Sequence, residues 1–165
     1  MTFPTVQSVT PTTFTSDATA HLVAMPATVN AGDLLLLVFT IDGNRTITTP
    51  AGWTSKADQA GTGVQSAVFA KAADGTEDGT TVDFVTSGSE KAAAQVYRIT
   101  DWGGSVANDV AVGTPATGTD ANPNPPTLTP SWGAKDTLWL ATASWSNTTT
   151  FRTDPTNYTN GASAE

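Results

Sequence analysis

The sequence predicts an all-β protein: an antiparallel β-sandwich of jelly-roll or Greek-key type with two related halves. The composition points there first, because Thr, Val, Ala, Gly and Pro are abundant while Leu, Lys and Glu are scarce outside one short run. Short apolar or alternating stretches then recur along the chain with turn residues between them, the spacing of strands in a sandwich or barrel. Lastly, a stretch from the first third returns in faded form near the end.

Strands are expected at residues 6–15, 20–25, 33–41, 46–49, 64–72, 80–86, 92–100, 106–112 and 137–145. In TTVDFVT, residues 80–86, Val82 and Phe84 fall on one face and Asp83 on the other, as in a half-exposed strand. Residues 34–39, LLLLVF, are apolar without alternation and read as a central strand covered on both sides. Asp42-Gly43-Asn44, Asp74-Gly75, Asp78-Gly79, Ser87-Gly88 and Gly103-Gly104 mark hairpins and loops. Residues 113–130, GTPATGTDANPNPPTLTP, hold prolines that cannot donate to a ladder, so they read as a crossing loop with an edge strand at 127–129.

The repeat sets GDLLLLVFTIDGNRTITTPAGWT against AKDTLWLATASWSNTTTFRTDPTNYT. Asp33 falls on Asp136, and Leu35 and Leu37 on Leu138 and Leu140; after a two-residue gap, Pro50 and Trp53 meet Pro155 and Tyr158. Each copy offers an inward Leu-x-Leu pair, a polar turn, a Thr-rich strand and a Pro-led corner with an aromatic closure. Further strands follow the first copy over 64–100, whereas the sequence stops at Glu165 soon after the second. One sandwich domain over 1–165 is expected, either asymmetric or with its last strands supplied by a neighbouring subunit or lying outside this chain. An open sheet edge there would favour a homo-oligomer.

The 165 residues suffice for one core. Fifteen acidic against seven basic residues give a net charge of −8, which disfavours nucleic acid and anionic membrane as partners. Without cysteine there is no disulfide framework and no thiolate chemistry. The longest apolar run, 34–39, is far below the roughly 20 residues of a membrane span. The opening MTFPTVQSVTPTTF lacks a basic-then-apolar export signal, so synthesis in a cytoplasm is expected.

Four phrases, NAGDLLLLVFTIDG, TTPAGWT, VFAKAADGTEDGTTVDFVTSGSEKAAAQVYRITD and DTLWLATASW, resemble a group of β-sandwich proteins encoded among the virion structural genes of tailed bacteriophages and prophages. The resemblance covers residues 20–159. It implies a protein of the virion surface, such as a capsid decoration or head-fibre subunit, or a module of a tail or receptor-binding structure. By the same resemblance the partner would be the major capsid protein or a tail protein, and the homo-oligomer a trimer. Members continue past the Pro-x-x-Tyr corner with strands ending in a Trp-Val-Ala-Ala type segment, which this sequence lacks. The resemblance implies no activity and carries over no functional residue.

The residues agree that an enzyme is not expected. His21, the single histidine, sits in ATAHLVAM without a neighbouring nucleophile or metal motif and reads as structural. No G-x-S-x-G elbow is present. Paired-carboxylate hydrolysis would need two acids at controlled separation, and Glu77, Glu90 and the aspartates read instead as solvated loop groups. Asp74, Glu77 and Asp78 in AADGTEDGTT could gather oxygen ligands around Ca²⁺, the one cofactor the sequence suggests; a plain charged hairpin is the simpler reading. Asn-x-Ser/Thr triplets at Asn44, Asn147 and Asn157 arise from composition in a Thr-rich chain. Five tryptophans stand out, and Trp53, Trp102 and Trp132 beside Gly are candidate platforms for a glycan, the basis of a second reading as a carbohydrate-binding module or tail receptor-binding protein attaching to host glycans, core packing being the plainer alternative. Leu34, Leu36 and Val38, on the second face of the apolar strand, are candidates for a subunit interface.

Overall fold

The computed structural model describes residues 2–118 and 125–146. Five strands, β1 Thr5–Ala24, β2 Leu34–Ile41, β3 Thr54–Ala60, β4 Gln65–Ala72 and β5 Thr81–Thr100, form one antiparallel sheet in the order β1-β5-β2-β4-β3. The all-β expectation holds. Among the described residues there is a single sheet, not two.

That sheet folds over itself because two of its strands are long. The stretches expected at 6–15 and 20–25 are one strand, β1, and those at 80–86 and 92–100 are one strand, β5. β1 pairs with the second half of β5 as far as Phe14↔Ala92, and with the first half from Ala20↔Val85 onward. Register shifts between Phe14 and Ala18 and between Ala18 and Ala20 bend the ribbon there, as extra residues in one strand do. Ser87-Gly88, expected to mark a hairpin, lies within β5 on the opposite side of this bend. Beyond it the ribbon returns across its own sheet: the Ala24 amide donates to Thr12 Oγ1 at 3.1 Å, and the Phe84 ring lies 5.2 Å from Phe39 and 5.0 Å from Phe69.

The inner core fills the space between ribbon and sheet. β2 contributes Leu35, Leu37, Phe39 and Ile41, β4 Ala67 and Phe69, β5 Phe84, Ala92, Ala94 and Val96, and β1 Val23. Burying each of the large side chains stabilises the fold by about 2–3 kcal/mol. His21 sits in the same layer, fully buried, its two ring nitrogens each 3.1 Å from a carbonyl oxygen, of Phe84 and of Glu90. Its ring meets Phe14 and Phe39 edge-on, so the imidazole is a core element, as the sequence suggested.

β2 occupies the middle of the sheet, and its second face is also covered. Leu34, Ala70 and Ile99 form an outer cluster with Val6, Leu36, Tyr97, Trp102, Val106, Val110 and Leu138. The cover is irregular chain. Residues 106–112, expected as a strand, instead begin with a one-turn helix, α1 Val106–Asp109. The cause is local: Ser105 caps it, its hydroxyl accepting from the Asn108 amide, while Asp109 Oδ2 accepts from the Ser105 amide. Residues 137–145 form no strand, although they repeat the β2 pattern. Strand 46–49 reduces to one bridge, Ile47↔Thr86.

β3 was not expected, since TSKADQA shows no apolar alternation. It is an edge strand, and Lys56, Asp58 and the register shift between Ser55 and Ala57 protect it from further pairing. Pro11 does the same for the opposite edge, β1.

Candidate functional site

The acidic turn after β4 was the candidate metal site. Its carboxylates do not converge, and each already accepts from the protein. Asp74 Oδ1 accepts from the amide and hydroxyl of Thr76, Asp78 Oδ1 from the Val29 amide, and Glu77 from the amides of Asp74 and Gly75. Lys71 Nζ sits 2.7 Å from Glu77 Oε1 and 3.5 Å from Asp74 Oδ2. No three metal-ligating groups come together among the described residues. Desolvation pushes the Glu77 carboxyl up, but the Lys71 hydrogen bond, the turn amides and the Lys71 charge outweigh it and hold Glu77 below its ordinary 4.5. The hydrogen bonds from Thr76 hold Asp74 below 3.8, and the Glu77 hydrogen bond leads the effects that raise Lys71 above 10.5. This is a self-satisfied turn closed by an ammonium, not a Ca²⁺ cradle.

The candidate glycan platforms fare differently from one another. Trp53 is buried in the inner core, 6.0 Å from Phe84 in an edge contact, and offers no face to a ligand. Trp102 is half-buried against the outer cluster, its indole N–H donating to the Gly32 carbonyl at 2.7 Å. Trp132 is half-buried and donates to Thr137 Oγ1 at 3.3 Å. The exposed indole is Trp139, at 47%. It aligns in the repeat with Leu36, which is partly buried in the outer cluster.

The proposed interface residues are also otherwise engaged. Leu34 and Val38 are buried, and Leu36 packs in the outer cluster beneath Trp102, Val106 and Leu138 of the same chain. They are therefore not a free surface for a neighbour. Apolar side chains that do reach solvent are Trp139 and Leu140 on the covering segment, Leu22 and Val85 on the returning ribbon, and Phe3. Of the repeat's expected inward pair, Leu138 packs partly buried on the outer cluster, not beside Leu35 and Leu37, and Leu140, at 37%, reaches solvent. Pro155 and Tyr158 lie outside the described residues.

Sequence reading missed a polar cleft of about 460 Å³ lined by Asn44, Arg45, Thr46, Asp58, Ala60, Gln65 and Ser87. These come from four separated segments of chain, one of them the end of β3, which carries no periodic signal. The one local clue was Asp42-Gly43-Asn44-Arg45, a polar turn closing the longest apolar run.

No family model, no curated protein and no solved structure matches this chain.

Proposed function

We propose that this chain is a structural subunit on the surface of a bacteriophage particle, a capsid decoration or head-fibre protein whose partner is the major capsid protein or a tail protein. The observation that carries this reading is the ledge formed by Trp139 and Leu140. The two adjoin in a segment anchored through Leu138 to the outer cluster, and both project from an acidic protein into solvent. Neighbouring exposed apolar side chains on an anchored segment are what a docking subunit presents to its support. The buried ionisable groups serve the fold itself: Asp33 pairs with Arg98 at 2.6 Å, Glu77 with Lys71, and His21 with two carbonyls. The resemblance read in the sequence phrases to virion structural proteins is what names the particle in this proposal.

The test is a reconstruction of intact particles from the source culture, with peptide mass spectrometry to count this chain. Many copies at regular positions on the head, lost in a Trp139→Ser, Leu140→Ser double variant that still folds, is the expected result. Absence of the chain from purified particles would overturn the reading.

A further inference from the structure

The polar cleft at the end of the sheet is built, in that its side chains are held from behind. Gln65 is buried, and its amide is fixed at both ends: Oε1 accepts from the Arg45 backbone amide at 2.8 Å, and Nε2 donates to Asp58 Oδ1 at 2.6 Å. Arg45 is fixed too, its Nε 2.7 Å from Glu90 Oε1. Two glycines make room for that ion pair. A Cβ at Gly88 would lie 2.5 Å from Arg45 Nε, and one at Gly43 would lie 2.8 Å from the Glu90 carboxylate. Asn44 donates to the Gly61 carbonyl, and the Ser87 hydroxyl accepts from the Thr46 amide.

Each anchored group keeps unused capacity. Beyond the bonds named above, Asp58 has a second carboxylate oxygen, Asn44 an amide oxygen, Arg45 further N–H groups and Ser87 a hydroxyl proton with which to meet a ligand. Anchored acceptors and donors thus line one open, shallow recess in which every lining residue but Gln65 is exposed.

The chemistry of that lining selects a ligand class. One guanidinium stands against two carboxylates, Asp58 and Glu90, so anions are disfavoured. Apart from Ala60 the lining residues are polar, which disfavours a lipid or an apolar side chain. A neutral polyol suits it, because each hydroxyl of a vicinal diol both donates and accepts, and a diol can bridge a carboxylate oxygen and a guanidinium N–H. We propose that this cleft is a carbohydrate site for a neutral hexose unit, recognised through Asp58 and Arg45. Asp58 accepts from one hydroxyl, Arg45 donates to its neighbour, and Gln65 positions both. Without an aromatic wall the binding is weak. The inference stands apart from the assembly reading: sugar binding is read on the isolated chain and copy number on the particle, so either can fail alone.

The experiment is a titration of the isotope-labelled full chain with D-mannose, D-galactose and L-rhamnose up to tens of millimolar, followed through its amide signals. Saturable shifts confined to Asn44, Arg45, Thr46, Asp58, Gln65 and Ser87, with none there from sodium sulfate, are expected for at least one sugar. Asp58→Asn keeps the size and an oxygen for Gln65 but turns the free acceptor into a donor, and it should weaken binding at least tenfold with the remaining spectrum unmoved. Gly88→Ala, which displaces Arg45, should do likewise. Silence from all three sugars overturns the proposal, as do shifts centred on Trp132 and Trp139, an equal response to sulfate, or full binding by both variants.

Discussion

The two faces of the central strand β2 are covered in opposite ways. Over Leu35, Leu37 and Phe39 lies pleated ribbon, whose side chains are set at fixed spacing and interlock with those below; the result is complete burial. Over Leu34 and Leu36 lies irregular chain, whose regular backbone hydrogen bonding among the described residues is confined to the turn Ser105–Asp109. There Leu36, Tyr97, Trp102 and Leu138 stay only partly buried. Equally apolar strand faces therefore gain unequal stability, because burial depends on the order of what covers them. The inner face is where the fold is held, and the outer face is where it can yield.

The sharpest test of that difference removes the ring that joins ribbon to sheet. Phe84→Ala deletes contacts to Phe39, Phe69 and Trp53 at once, in a site with no solvent to fill the void. A loss of about 3–5 kcal/mol in urea unfolding is expected. If the loss were under about 1 kcal/mol, the ribbon would not be the principal cover of the inner face.

Next in size is the ion pair at the start of β2, where the two faces meet. Asp33 accepts from Arg98 Nε at 2.6 Å and from the Asn30 amide at 2.8 Å, closing the turn into the strand. Asp33→Asn leaves a guanidinium with little water and no counter-charge, and a loss of about 3 kcal/mol is expected by the same measurement. Replacing both partners, Asp33→Leu with Arg98→Met, should recover most of it.

How far the sequence made this contrast legible follows the same physics. The unalternating run 34–39 announced a strand buried on both faces, and the recurrence of Val, Thr and Phe between turns announced an all-β fold. The bends in β1 and β5 stayed hidden because a bulged strand and a hairpin carry the same marks, Ser87-Gly88 among them. β3 stayed hidden because an edge strand needs no apolar face. Residues 137–145 carry a strand pattern without cross-strand neighbours among the described residues, and pattern alone does not supply them. The Trp53 position beside Gly suggested exposure, yet its indole closes the core. The cleft was illegible since Arg45, Asp58, Gln65 and Ser87 meet only through the register of β3, β4 and β5.

The Lys71–Glu77 turn gives the inner face a pH signature. Glu77 and Asp74 lie below their ordinary values in the fold, so they contribute stability that is present above about pH 4.5 and is lost as pH falls toward their folded values. Lys71 lies above its ordinary 10.5, so its contribution is present below that pH and is lost as pH rises through the folded value. Unfolding free energy should therefore be flat at neutral pH and decline at both ends. Glu77→Gln should cost about 2 kcal/mol at neutral pH and flatten the acid limb. An unchanged acid limb in that variant would show that other carboxylates govern it.

The smallest expected effect belongs to the outer face. Among the described residues of the second repeat Leu138 is the one that seats in the outer cluster, and it is held there by irregular chain. Leu138→Ala should reduce global stability by only about 1 kcal/mol, because the partly wet site can relax and readmit water. Its larger consequence is local: amides of residues 136–142 should exchange with solvent faster, while those of β2 and β4 keep their protection. If β2 amides were to speed up equally, the outer cover would share the cooperative unit of the inner core. The two faces would then differ in packing but not in stability.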